Sequence, residues 1–212
     1  MSEFASSDLT AGQLNAVVKR LGGHEDTLRF LRGELIVTEP DRRWWEENGV
    51  IYFTLISNGF TGERWIAHLE AQAYGVSKWA KDLLLSSVFK PTNGVAFNVA
   101  VLKGEVFANS ARTTKNILEQ APKLLKQAVN KPNPEVACLI RSNFSDQEIR
   151  EMGFTWIIAM SDPIKDSVGD LYLLCVDAGD HSLGAGYGDP GSGWGRRYGF
   201  AFAIPQVSNT QN

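Results

Sequence analysis

Residues 94–104, GVAFNVAVLKG, place Val95, Phe97, Val99 and Val101 at every second position, with small or polar residues between them. A period of two gathers all four on one face of a strand and on no single face of a helix. This stretch therefore commits the chain to a sheet with one face on a core. Its neighbours obey the other period. Leu14, Val17, Val18 and Leu21 recur at helical spacing behind Thr10, which stands three residues before Gln13 as in a capping box, and Gly22 and Gly23 supply the stop. A second short helix over HEDTLRFLRG, ending near Gly33, completes a hairpin in which Leu28 and Leu31 face Val17 and Leu21.

The remaining segments alternate between the two habits. GVIYFTLIS (49–57) reads as a buried strand, and helices are expected at about 61–73 and 77–86. Residues 110–129 read as a helix bent or interrupted at Pro122. NPEVACLIRSN has Asn133 as cap and Pro134 in the first turn; a strand competes for VACLI, but Val136, Leu139 and Ile140 favour helix. SDQEIREMG repeats the capping box with Ser145 and Glu148 and closes at Gly153. FTWIIAM, DLYLLCV and YGFAFAIP finish as strands. The order predicts an α+β fold, a mainly antiparallel sheet of about five strands packed with helices. It comprises an N-terminal helical hairpin over 1–40, an α+β domain over 41–205 and a flexible tail over 206–212.

With 212 residues, 43% hydrophobic and 21% charged, the chain can bury a core without disulfide or metal. The net charge of −3 argues against nucleic acid and anionic lipid as partners, and no window approaches eighteen apolar residues. Cys138 and Cys175 sit singly in apolar runs, and the first ten residues have no secretory pattern, so the cytoplasm is the expected compartment.

GYGDPG (186–191) satisfies the G-x-G-x-x-G pattern of dinucleotide-binding loops. That use needs a strand directly before it and a helix opening inside it. Pro190 and a further run of glycines stand where the helix should be, so the match is set aside. What remains is a nineteen-residue segment, 179–197, read as a loop, which carries His181, Tyr187, Asp189, Trp194, Arg196 and Arg197. The favoured reading is a hairpin excursion whose Tyr187 and Trp194 pack on the sheet. The functional one is an anion site in which glycine N–H groups and the two arginines hold a carboxylate or phosphate.

Asp162, Asp166, Asp170 and Asp177, with Asp189, could instead converge on Mg²⁺ and activate water against a phosphoester; aspartates also simply favour turns. His24, His68 and His181 have no zinc spacing. Trp44 and Trp45, directly after Arg42 and Arg43, could stack single-stranded bases, but Glu46 and Glu47 cancel the charge. A basic helix carrying Arg112, Lys115, Lys123 and Lys126 reads as a solvated face.

LTAGQLNAVVKRLGG, LRFLRGEL, GVIYFTL, KPTNGVAFNVAVLKG, EVACLIRSNFSDQEIREMG and GFAFAIPQVS span nearly the whole chain. Through them the chain resembles a group of uncharacterised proteins from uncultivated, candidate-phylum bacteria. The resemblance implies a bacterial source; that group has no assigned activity, so it carries over no functional residue. The expected function is a non-catalytic binding or interaction module for a small molecule or protein, with no cofactor. The alternatives are the Mg²⁺-dependent hydrolase and the single-strand binder.

Overall fold

The structure, a computed structural model, describes residues 10–35 and 43–205. The tail expected over 206–212, and Arg42, lie outside the described residues. The chain divides into two units, Met1–Arg42 and Arg43–Asn212. In the first, α1 (Ala11–Arg20) and α2 (His24–Leu31) are the expected helices. Thr10 Oγ1 accepts the Gln13 N–H at 3.3 Å and Gln13 Oε1 accepts the Thr10 N–H at 2.8 Å. Gly22 and Gly23 stop α1 at φ of 98° and 105°, where a side chain would be strained. The expected facing of the two apolar stripes is not formed. Leu31, at the end of α2 far from the link, is 72% exposed, and Leu14, Val17 and Leu28 are exposed as well.

The second unit is built on one sheet. Its strands are β1 (Trp44–Glu47), β2 (Val50–Asn58), β3 (Gly75–Val76), β4 (Asn93–Lys103), β5 (Trp156–Ala159), β6 (Ile164–Lys165), β7 (Leu171–Asp177), β8 (Ser182–Tyr187) and β9 (Tyr198–Ile204). They lie in the order β1-β2-β4-β9-β5-β7-β8-β3, with β6 also pairing β7. β5 runs parallel to β9 and β3 parallel to β8, while the other pairings are antiparallel. The described residues thus form a nine-stranded mixed sheet in place of the five-stranded, mainly antiparallel one expected. β3 and β6, of two residues each, carry too little periodicity to be read. The parallel pair arises because the last strand inserts between β4 and β5.

Helices α3 (Gly62–Ala71), α4 (Lys78–Leu84), α6 (Glu135–Asn143) and α7 (Asp146–Glu151) cover one face, where Ile51, Phe53, Val99, Val101, Ile157, Leu174 and Val176 are buried. Helix α5 (Thr114–Leu125) covers the other over Ala100, Leu102, Ile158, Cys175, Phe200 and Phe202. Consecutive residues of β4 therefore enter different cores, and both faces are sealed at the sheet centre. Pro122 stands inside α5 without ending it; the helix closes at Lys126, in the left-handed conformation. No helix among the described residues is long and apolar enough to cross a membrane. Burial pushes both unpaired thiols, Cys138 and Cys175, well above their ordinary range.

Helix α6 is buried from Glu135 to Arg141, which decides the VACLI run for a buried helix. Asn133 caps it: its Oδ1 accepts the Glu135 N–H at 3.0 Å. Arg141 is fully buried. It donates to Asp146 Oδ1 at 2.6 Å and to the Phe144 carbonyl at 2.7 Å, and its guanidinium lies 4.2 Å from the Tyr74 ring centroid.

The segment 179–197 is not a continuous loop. Residues 182–187 form β8, paired with β7 from Tyr172↔Tyr187 to Asp177↔Ser182. Its glycines hid it. Leu183 and Ala185 face one core; on the other side Gly184 lies against Cys175, and Gly186 leaves the strand bare so that the Trp194 ring can lie there. A Cβ on Gly186 would sit 2.8 Å from Trp194 Cζ3. The first glycine of GYGDPG thus lies in a strand, and no helix follows before β9. Residues 188–197 return across the α5 face and are tied to it. Thr114 and Lys115 N–H groups donate to Ser192 and Pro190 carbonyls, the Trp194 N–H to the Arg112 carbonyl, and Trp194 Nε1 to Thr114 Oγ1 at 3.0 Å. Arg112 is not on a solvated face: half-buried, it donates to the Trp194 and Phe107 carbonyls.

Two outcomes follow for stability. Burial alone would raise the Asp146 carboxyl, but the hydrogen bond from His181 and the charge of Arg141 outweigh it and hold the group below its usual value. A carboxyl depressed in the folded state contributes stability above its unfolded pKa of about 3.9 and loses it as pH falls through the folded value. Asp146→Asn is expected to cost about 3–5 kcal/mol near neutral pH, because it leaves Arg141 as an uncompensated buried charge. In urea unfolding the gap to wild type narrows as the pH falls through the depressed folded-state value of the wild-type carboxyl, where that group is protonated too. Gly186→Val forces Trp194 off β8 and is expected to cost about 1–3 kcal/mol with altered near-ultraviolet dichroism. Gly191→Ala, whose added Cβ meets nothing within 4 Å, is the control and stays within about 0.5 kcal/mol.

Candidate functional site

Where β4 ends and β5 and β9 begin, Lys103, Gly104, Glu105, Gly153, Phe154, Arg196, Arg197 and Tyr198 enclose a cavity of about 410 Å³. Its walls are fixed by backbone contacts. The Arg197 carbonyl accepts the Thr155 N–H at 2.9 Å, extending the parallel β5–β9 pairing by one residue. Gly104 closes the other wall: a Cβ there would meet the carbonyl oxygens of Gly195, Arg196 and Tyr198 at 2.7, 2.8 and 3.0 Å. Tyr198 is held by stacking on Trp156, with centroids 5.3 Å apart and planes 11° apart. Burial first, then the neighbouring Cys175 and Asp177, raise its phenol above the ordinary tyrosine value, so it stays protonated.

Three cations and one carboxylate, Glu105, line this cavity. Lys103 Nζ reaches Glu46 at 2.7 Å from a side chain only 19% exposed. Arg196 and Arg197 are exposed, and among the described residues neither has an ion-pair partner. Two guanidinium forks beside an ammonium can bind a tetrahedral or planar oxyanion in bidentate fashion.

The other residues expected at a site are elsewhere. His181, at φ 52° in the turn between β7 and β8, donates from Nδ1 to Asp146 Oδ2 and packs on Tyr74, 4.5 Å between centroids. Tyr187 stacks on Tyr172 at 4.8 Å. Its hydrogen bond, ahead of desolvation, pushes the Tyr172 phenol up to about 12. Trp194 is committed to Gly186 and Phe200, and Asp189 lies in the exposed turn closed by its carbonyl and the Ser192 N–H. Of the six ligand-binding residues expected in 179–197, Arg196 and Arg197 alone share a cavity.

The aspartates expected to hold Mg²⁺ are not brought together. Asp166 Oδ1 accepts the N–H groups of Val168, Gly169 and Asp170, each at 2.9 Å, to shape the turn between β6 and β7. Asp162 pairs with Lys131 Nζ at 2.6 Å. Asp177 Oδ1 accepts from Gly179 and Asp180 at the other end of β7, so Asp170 and Asp177 are separated by about 20 Å of strand. No three His, Cys, Asp or Glu side chains among the described residues form a group able to hold a metal ion. Trp44 and Trp45, as consecutive strand residues, face opposite sides. Trp44 packs against the helix-covered core, and Trp45 stacks on Tyr52 at 5.5 Å. Arg43 pairs with Glu148. His68 bonds Ser142 through Nε2 at 2.9 Å.

Sequence reasoning found the two arginines but missed Lys103. It is the last residue of a strand read only for its apolar alternation, 93 residues before Arg196, and no local pattern joins them. Compared with protein-family models, curated proteins and solved structures, the chain matches none of them.

Proposed function

We propose that the protein is a binding module that captures a small phosphate- or carboxylate-bearing ligand between Arg196, Arg197 and Lys103. One observation carries the reading: two exposed guanidinium groups without a carboxylate partner border a concavity whose third cation is Lys103. The backbone contacts of Thr155 and Gly104 support it, because they fix the positions from which the cations extend before a ligand arrives. The lining includes no histidine, cysteine, serine or threonine; its Lys103 is paired with Glu46 and its Tyr198 phenol is raised, so it offers charge and shape in place of an activated nucleophile. Capture without turnover is the chemistry that set supports. The buried, unpaired thiols fit a reducing compartment such as the cytoplasm.

Titration of the ¹⁵N-labelled protein with inorganic pyrophosphate at low ionic strength is expected to shift the amides of 103–105, 153–155 and 195–198 saturably. Replacing Arg196 and Arg197 by Gln weakens binding about tenfold or more, since a charge-assisted hydrogen bond is worth roughly 1.5–3 kcal/mol. Raising the salt to about 0.15 M weakens it further, the groups being exposed. Linear, unsaturated shifts in the wild type with phosphate, pyrophosphate and citrate alike would sink the proposal.

A further inference from the structure

A second concavity stands apart from the arginine site. A cavity of about 680 Å³ is walled by the segment before α6, the end of the α4 region and the β6 hairpin. Lys90, Lys131 and Lys165 line it against the single carboxylate of Asp162. A neighbouring cavity of about 430 Å³, lined by Leu118, Gly188 and Pro190, shares Lys131, Pro163 and Leu171 with it. The two therefore adjoin across one rim, a cationic chamber beside a mainly apolar one in which, besides the shared Lys131, the charged residues Lys115 and Glu119 lie 4.0 Å apart as an ion pair.

The walls are stiff. Pro132, Pro134 and Pro163 line the first chamber and Pro163 and Pro190 the second, with φ fixed and no N–H to hydrate. The segments bearing Lys90 and Lys131 are clamped together. Asn133 Nδ2 donates to the Lys90 carbonyl at 2.7 Å, and the buried Glu135 carboxylate accepts the Thr92 N–H at 3.0 Å and its hydroxyl at 2.6 Å. At the shared rim the Lys131–Asp162 ion pair is 44% and 85% exposed, a pair worth little in water and readily exchanged for another anion. Among the described residues Lys90 and Lys165 have no ion-pair partner.

We infer that this double groove is a binding site for a small amphipathic anion, with its head between Lys90, Lys131 and Lys165 and its apolar body over Leu118, Leu171 and Pro190. The head takes the place of Asp162 on Lys131. Neither chamber alone selects such a ligand: a bare anion leaves the wall of Leu118, Leu171 and Pro190 unused, and a neutral chain gains nothing from the lysines.

Decanoate, butyrate and decanol are the probes, each titrated into the full chain below micelle-forming concentrations. Each buried methylene is worth about fourfold in affinity, so burial of two of the six extra in decanoate gives it about a fifteenfold advantage over butyrate. Decanoate is a carboxylate and can also meet Arg196 and Arg197, so it is titrated in the Arg196→Gln, Arg197→Gln chain, where its advantage over butyrate persists and adding Lys90→Gln with Lys131→Gln weakens it about tenfold. Leu118→Asp weakens decanoate and spares butyrate, whose retained binding reports an intact fold; the chain-length series on wild type needs no variant. Equal affinity for decanoate and butyrate, equal affinity for decanol and decanoate, or loss of decanoate in the arginine variant would each overturn the inference. None of these outcomes bears on pyrophosphate capture at Arg196 and Arg197, which stands or falls separately.

Discussion

A guanidinium without water is the constraint around which one half of the second unit is arranged. Arg141 is fully buried on a helix that is itself buried on all sides, and a charge there is tolerable only if its donors are met. Three different elements meet them: the Phe144 carbonyl at the α6–α7 link, the Asp146 carboxylate in the first turn of α7 and, more loosely at 3.4 Å, the Asp177 carbonyl at the end of β7. Tyr74, just before β3, closes over its face. Nε is left without an acceptor. Such a centre adds little net stability compared with a well-packed apolar one. What it does is couple positions: α6, α7, β7 and the approach to β3 cannot shift separately without stranding a charge. The second carboxylate oxygen of Asp146 then reaches out to His181, which carries the same coupling to the turn between β7 and β8.

The opposite face is held by shape. Gly186 leaves β8 bare where Trp194 lies, and Trp194 in turn fastens residues 188–197 to the start of α5 through Thr114. That return segment delivers Arg196 and Arg197 to the head of β9. The two halves of the design therefore meet in function: one fixes the strands, and the other brings an arginine pair to the place where three of those strands begin or end. Binding groups on short segments anchored at both ends can be positioned without a long ordered loop.

How much of this was legible in the sequence follows from the range of each signal. Capped helices such as α1 and α7 announce themselves within four residues, because Thr10 with Gln13 and Ser145 with Glu148 act locally. Strands with side chains on both faces are nearly as plain, as in β2 and β4. β8 was hidden because its glycines look like loop until Trp194, eight residues on, is known to lie across Gly186. β3 and β6, of two residues each, exist only through their partners β8 and β7. The insertion of β9 beside both β4 and β5 is a long-range event with no local trace, and with the parallel β3–β8 pair it makes the sheet mixed. Site residues divide the same way. The adjacent arginines were visible as a pair, whereas Lys103, Lys90, Lys131 and Lys165 acquire meaning only when distant segments converge.

The distribution of charge completes the argument about scale. The chain as a whole carries −3, yet each of the two cation-bordered concavities sets three cations against one carboxylate. They lie beyond opposite ends of β5, one beside Phe154 and the other beside Asp162. With a screening length near 8 Å at physiological salt, such patches act only on what enters them. A long polyanion lying across the unit would meet the surrounding carboxylates as well, Glu46 and Glu105 among them, and lose what it gained at the lysines and arginines. A ligand small enough to stay within one concavity feels the local field alone, and that is the physical ground on which a small anion is proposed.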